Sequence, residues 1–194
     1  MALVYAFGPC VPAIDPTAYV HPTAVLIGDV VIAADSYVGP HASLRGDFGR
    51  IVLGPGANLQ DNCVVHSHWA LDCEMRESSH IGHGAVIHAC TIGRDVLVGM
   101  NAVVMDNADV GDESIVAAMA FVRIGQKIAP RSLVAGIPAR LIREVDDTML
   151  AEKRRGTALY RELARRCRRE LVPAEPMPRV EPDRPRYDWG TFKY

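Results

Sequence analysis

A six-residue spacing of aliphatic side chains constrains this chain more than any other feature. From Val20 the steps fall on Leu26, Ile32, Val38 and Leu44. The spacing resumes at Leu53, Leu59 and Val65, and again from Ile92 through Val98, Val104, Val110, Val116 and Val122 to Ile128 and Val134. A small residue follows four places after most of these markers: Ala24, Val30, Ser36 and Ala42 early, Ala102, Ala108, Ser114 and Ala120 late. Phe48 breaks that rule. Glycine often follows the marker, as in Val38-Gly39, Leu53-Gly54 and Val98-Gly99, where a tight corner needs close backbone approach or a positive φ. Period-two alternation in a sandwich gives part of this pattern, but a sandwich does not hold phase at six over dozens of residues. The repeat predicts a mainly-β chain wound as a parallel β-helix, with three short faces and about 18 residues per coil. Flat flanks on a three-sided prism make a homotrimer the simplest closed assembly.

The repeat ends near Arg143. The expected organisation is a β-helix over 1–142, a C-terminal α-helix over 143–171 and a proline-rich tail over 172–194. Asp146 or Asp147 is a candidate helix cap. Leu159, Leu163, Cys167 and Leu171 form an apolar stripe with Tyr160 beside it, suited to lying along the prism. Gly156-Thr157 is a candidate break into two helices. Net charge is −2, which argues against nucleic-acid binding. The five cysteines form no C-x-x-C pair, a usage that favours a reducing compartment. No secretory leader pattern or membrane-length apolar run is present, so the expectation is a cytoplasmic protein with no membrane contact. The basic helix residues Lys153, Arg154, Arg155, Arg165 and Arg166 are either a solvated face or a seat for phosphates.

Five of the seven histidines fall between residues 64 and 90. Val65 and Ile87 are both markers. Counting back from Ile87 gives Ile81 and then Met75, so residues 67–74 read as an inserted loop. His66 and His88 then occupy equivalent places one coil apart, on one face. His83 belongs to the preceding hexapeptide, near another corner of the triangle, and cannot easily meet them within one subunit. In a trimer it reaches the pair on a neighbour. Three neutral imidazoles are the ligand set of a catalytic Zn2+ with an open water position, and Fe2+ or Co2+ also suits them. His68 and His80 read as loop histidines, and His21 and His41 as structural ones.

The string Arg45-Gly46-Asp47, Leu59-Gln60-Asp61-Asn62, and His66, His83 and His88 in the pattern H-x16-H-x4-H resembles the γ-class carbonic anhydrase-like family of hexapeptide-repeat proteins. The resemblance covers about residues 10–170. It implies a left-handed β-helix, a homotrimer and interfacial metal sites held by His66, His83 and His88. It also implies an inter-subunit Arg45–Asp47 ion pair, Gln60 and Asp61 near the metal-bound water, and Tyr160 approaching the metal. The segments HPTAVLIGDV, GPHASLRGDFGRIVL, NLQDNCVVH and VGMNAVVMDNA are most similar to the phenylacetate-degradation (PaaY) and carnitine-operon subgroup, which implies acyl-CoA thioesterase activity. The chain departs from the family at Phe48, where a glutamate is usual. It departs again at Ser67-His68-Trp69, where a proton-shuttle acid is usual. CO2 hydration is therefore expected to be weak, while Phe48 and Trp69 offer an apolar wall suited to an acyl group.

The same metal-bound hydroxide can attack CO2 or a thioester carbonyl. On this reading the metal, or Gln60 as donor, stabilises the oxyanion, Asp61 orients the water and Arg45 fixes Asp47. The expected ligand is accordingly an acyl-CoA or CO2/bicarbonate. A non-enzymatic accessory protein, with the metal stapling the trimer, and a hexapeptide acyltransferase using a lone histidine base are the competing readings.

Overall fold

The computed structural model describes residues 2–189. The predicted tail is thus covered as far as Trp189, and residues 190–194 lie outside the described part. The chain winds through about seven coils of a left-handed parallel β-helix and ends in one α-helix. Three strand columns form the faces. Face A stacks Val64–His66, Val86–His88, Val103–Val104 and Phe121–Val122. Face B stacks Cys73–Met75, Thr91–Ile92, Asp109–Val110 and Lys127–Ile128. Face C stacks Tyr37–Val38, Asn58–Leu59, His80–Ile81, Leu97–Val98 and Ile115–Val116. Two longer strands, Val25–Ile32 and Ser43–Leu53, turn the corner from A to B and join those faces into one sheet.

The markers fill the prism. Leu26, Leu44, Val65, Ile87, Val104 and Val122 stack behind face A, each fully buried, and the other two faces carry equivalent columns. Small residues such as Ala24, Ala42, Cys63, Ala85 and Ala102 line the corners, also fully buried. Burying such columns is the main apolar gain available to a chain with few aromatics. The exceptions to the ruler all lie at the A–B corner. Leu44 to Leu53 spans nine residues, Val65 to Met75 ten and Ile87 to Ile92 five. Extra residues are pushed outward there, so Ile51 and Cys73 take the inner places that strict counting gives to Phe48 and Trp69. The inserted loop is shorter than 67–74: Cys73 and Glu74 already belong to face B. A tight reversal closes it, with His68 and Leu71 exchanging backbone hydrogen bonds of 3.1 and 3.0 Å.

The C-terminal part differs from the sequence reading. Arg140–Glu144 is a strand, pairing antiparallel with Ser132–Ala135 and closing the last coil. The helix starts later, at Asp147, and runs unbroken to Glu170 through Gly156. Asp146 caps it, accepting from Met149 N–H at 2.9 Å. The expected stripe holds in part: Leu163 and Cys167, with Tyr160, pack against Tyr19, Tyr37 and Ala164. Leu150, Lys153, Thr157 and Ala164 are buried, while Leu171 is exposed. Face C and its turns present polar groups, so the helix answers with polar ones. Lys153, its side chain only 2 % exposed, pairs with Asp95 at 2.9 Å. Arg154 pairs with Asp95 and Glu113, and Arg161 donates to Gly56 C=O. Most of the helix cations are therefore spent on docking and do not form a free phosphate seat. The tail returns to the helix, where Arg166 lies 5.1 and 4.9 Å from the rings of Tyr187 and Trp189.

His80 is no loop residue. It stands on a face C strand under the helix, its ring edge-on to Tyr160. Thr157 Oγ1 donates to Lys153 C=O at 3.2 Å, so His80 Nδ1–H donates to Thr157 Oγ1 at 3.4 Å. His80 Nε2 then accepts from the Gln60 amide at 2.7 Å. Burial, reinforced by Lys153 and then His83, pushes its pKa down to about 4. The unfolded chain binds a proton there below about 6.5 while the folded chain does not, so this group withdraws stability as pH falls from about 6.5 toward 4. Between pH 7 and 5 the melting temperature of the wild type should fall more than that of His80→Gln. Equal slopes would contradict the buried neutral assignment.

Candidate metal centre

The ladder places the proposed site residues at two corners. Face A pairs Arg45 with His66 and His66 with His88 on successive coils. These residues, with Asp47, cluster at the A–B corner. Gly46 lets the corner close, because a Cβ there would meet Asp29 C=O at 2.4 Å. Gln60, Asp61 and His83 lie on the C–A corner, on the opposite edge of face A. Tyr160 reaches them from the helix, its hydroxyl 3.4 Å from His83 Nε2. Among the described residues, no three metal-binding side chains converge within the single chain.

At the A–B corner Arg45 pairs with Asp47 at 2.7 Å within the chain. The two residues flank Gly46 on one turn and need no partner chain to meet. Asp47 Oδ1 accepts from His66 Nε2–H at 3.1 Å. Burial alone would raise the Asp47 carboxyl, but the hydrogen bonds from Arg45 and His66 outweigh it and lower its pKa. Burial, and then the Arg45 charge and His88, against the pull of Asp47, lowers that of His66, which keeps the ring neutral at pH 7. His88 Nδ1–H donates to Asp106 at 3.0 Å. The facing nitrogens, His66 Nδ1 and His88 Nε2, are 3.1 Å apart.

The aspartates decide what lies between those nitrogens. Each ring gives its one N–H to a carboxylate, so two lone pairs face each other at hydrogen-bond distance. In these tautomers the two lone pairs repel; a shared proton or a metal ion between the nitrogens relieves the repulsion. A tetrahedral ion at about 2.0–2.1 Å from each nitrogen sets them roughly 3.3 Å apart. The pair therefore fits two adjacent positions of a metal shell. At the other corner His83 Nδ1 lies 3.1 Å from an Asp61 carboxylate oxygen, and its Nε2 faces the Tyr160 hydroxyl at 3.4 Å. A carboxylate on the second ring nitrogen is the usual support of a metal-ligating histidine.

One expected role changes. Both N–H groups of the Gln60 amide are engaged, by Asn58 Oδ1 at 3.0 Å and His80 Nε2 at 2.7 Å, and the side chain is buried. It is not a free oxyanion donor; it locks the coil beneath His83. Asp61 lies beside His83, its side chain 40 % exposed. Asp106 was missed by sequence reading, yet it had a signal. It lies 18 residues after His88, at the same corner of the next coil. Phe48 and Trp69 project from the A–B corner, 56 % and 77 % exposed. The Phe48 ring lies 5.3 Å from that of His66, with Arg45 over it at 5.9 Å.

Residues 89–123 match the family model "Bacterial transferase hexapeptide (six repeats)". The carnitine operon protein CaiE of Salmonella agona (strain SL483) is 52 % identical over 187 residues, covering 96 % of this chain and 94 % of the relative. That of Proteus sp. (strain LE138) is 51 % identical over 183 residues, covering 94 % and 93 %. Among solved structures, a putative acetyltransferase from Bacillus cereus superimposes with TM-score 0.83 at 28 % identity, over 84 % of this chain and 95 % of that one. A hexapeptide transferase family protein from Anaplasma phagocytophilum gives TM-score 0.81 at 32 % identity, over 84 % and 96 %. The repeat, the coil geometry and half-identity across nearly the full length of both chains agree: the chain belongs to the γ-carbonic-anhydrase-like hexapeptide-repeat family that includes the carnitine operon protein CaiE.

Proposed function

We propose that this protein is a homotrimeric, metal-dependent acyl-CoA thioesterase. Each divalent ion, Zn2+ in the first instance, is held by His66 and His88 of one subunit and His83 of the next. The observation that carries this reading is the triple pairing of imidazole with carboxylate: His66 with Asp47, His88 with Asp106 and His83 with Asp61. Each pair leaves one ring nitrogen as a fixed acceptor. The two corners bearing them are the edges of one face, so packing three copies around face A brings unlike corners together.

An ion in such a set supplies Lewis acidity and lowers the pKa of a coordinated water to about 7. The chain's own groups do the rest. Asp47, Asp106 and Asp61 hold the three rings in the required tautomers. Arg45 keeps Asp47 ionised and fixed. Phe48 and Trp69 give the acyl group an apolar wall and exclude water beside His66. In hydrolysis a water oxygen bonds to the thioester carbonyl carbon, the C–S bond breaks and the thiol leaves with a proton. Tyr160, whose hydroxyl lies at His83, is the side chain placed to hold that proton.

Two features favour a thioester over CO2. Asp72, the one carboxylate on the loop after His66, is turned away to accept from Arg50 N–H at 3.0 Å. Glu74 lies on a face B strand, paired with Arg76 at 3.0 Å. Rapid CO2 hydration needs an acid or base at the mouth to carry protons away. An acyltransferase with a lone histidine base has no use for three carboxylate-held rings, although transferases share the fold.

Thiol release from phenylacetyl-type and short acyl-CoAs should stop with chelator and return with Zn2+. A panel with no metal-dependent release would contradict the proposal. Asp106→Asn should weaken zinc binding by about 10–100-fold, measured by equilibrium dialysis and elemental analysis. An unchanged affinity would remove Asp106 from its assigned role.

A further inference from the structure

The column that holds His66 and His88 continues beyond them. Face A registers Ile87 on Val104 and Val104 on Val122. The residue after each marker therefore continues the series Arg45, His66, His88 with Met105 and then Arg123. At about 4.8 Å per coil, Arg123 stands roughly 10 Å along the axis from His88, and its side chain is exposed.

Arg123 differs from the other cations of residues 1–139. Arg45, Arg50, Arg76, Arg94, Lys127 and Arg131 each face a carboxylate within 4.0 Å. Among the described residues no such partner faces the Arg123 guanidinium; only its backbone N–H is engaged, by Gln126 Oε1 at 3.1 Å. Residues 1–139 carry more acid than base, so most of this surface repels a polyanion. An unneutralised guanidinium in line with the metal ligands is the exception.

The rung between them is apolar, with the Asp106 carboxylate beside it turned to His88. Met105 is the rung between His88 and Arg123. In the trimer proposed above, the facing wall is the C–A corner of the adjacent subunit, where the coils after His83 expose Met100 and Met119, 55 % and 67 % accessible. Met100 C=O accepts from Met119 N–H at 2.9 Å, which stacks the two along the same axis. Flexible thioethers on both walls suit an uncharged, extended chain of variable contour.

We infer that Arg123 is the anion anchor of the substrate. A CoA thioester would place its carbonyl at the metal and its acyl group against Phe48. Its uncharged arm would lie over Met105, and a phosphate would meet Arg123 in a charge-assisted, fork-shaped contact. This inference rests on the thioester reading for the reaction, but the anchor has its own readout.

The test compares wild type and Arg123→Gln on two substrates with the same acyl group, one a CoA thioester and the other its N-acetylcysteamine counterpart, which lacks phosphates. The variant should raise KM for the CoA thioester about tenfold, leave kcat near wild type and leave the short thioester unaffected. Zinc content and trimer mass should not change. Calorimetry with free CoA should show salt-sensitive binding to the wild type and its loss in the variant. A KM that stays within twofold, or rises equally for both substrates, overturns the anchor and leaves the hydrolase reading standing. CoA binding that is lost in the variant, with no hydrolysis by the wild type, supports the anchor and refutes the hydrolase reading. Absence of CoA binding to the wild type overturns the anchor.

Discussion

Backbone hydrogen bonds hold each coil directly over the next, as where Val64 N–H donates to Ala85 C=O and Val86 N–H to Ala102 C=O. That parallel ladder fixes side-chain position to a single rung. A parallel pair admits no partial slip, because a shift of one residue would turn the buried markers outward. His66 is therefore held over His88, and Arg45 over His66, by the same interaction that builds the core. The site needs no special loop to assemble it. The rungs also explain the spacing of the aspartates, since Asp47 and Asp106 lie on the coils flanking the pair.

The departures from six are where the chain gains chemistry. At the A–B corner, insertions push Phe48 and Trp69 outward and leave Ile51 and Cys73 to complete the core. The corner becomes a ridge with an aromatic wall beside a pair of histidines. At the other corner the helix takes the supporting role. Its Lys153–Asp95 ion pair and Thr157–His80–Gln60 chain are largely buried polar contacts, which are costly if left half made and strongly position-defining when complete. They set the ring of Tyr160, and through it the environment of His83. A helix placed for apolar burial alone would not carry a lysine and a threonine at the centre of its contact.

The sequence showed the prism clearly because inward residues repeat with one period and one chemical type. It also separated His66 and His88 from His83, since markers count coils whatever loops intervene. What it hid were contacts across different registers. His80 looked like a loop residue because its partners, Gln60 and Thr157, are 20 and 77 positions away. Asp106 was one coil from His88 and could have been reached by the same counting. The strand Arg140–Glu144 was masked by its charge and by leaving the six-residue phase, and Gly156 was read as a break although it lies against His80. The roles given to Gln60 and Asp61 came from resemblance, and the hydrogen bonds of Gln60 assign it to support.

The central claim is that each metal is shared between unlike corners of two subunits. Mixing His66→Ala subunits with His83→Ala subunits tests it most directly. Neither homotrimer can complete a site, whereas every mixed trimer holds one interface with His66 and His88 on one side and His83 on the other. After co-refolding at equal ratio, zinc bound per chain should recover to about a quarter of the wild-type value, as random assortment of three-subunit rings requires. Zinc that stays at the level of the separate variants would contradict the shared site.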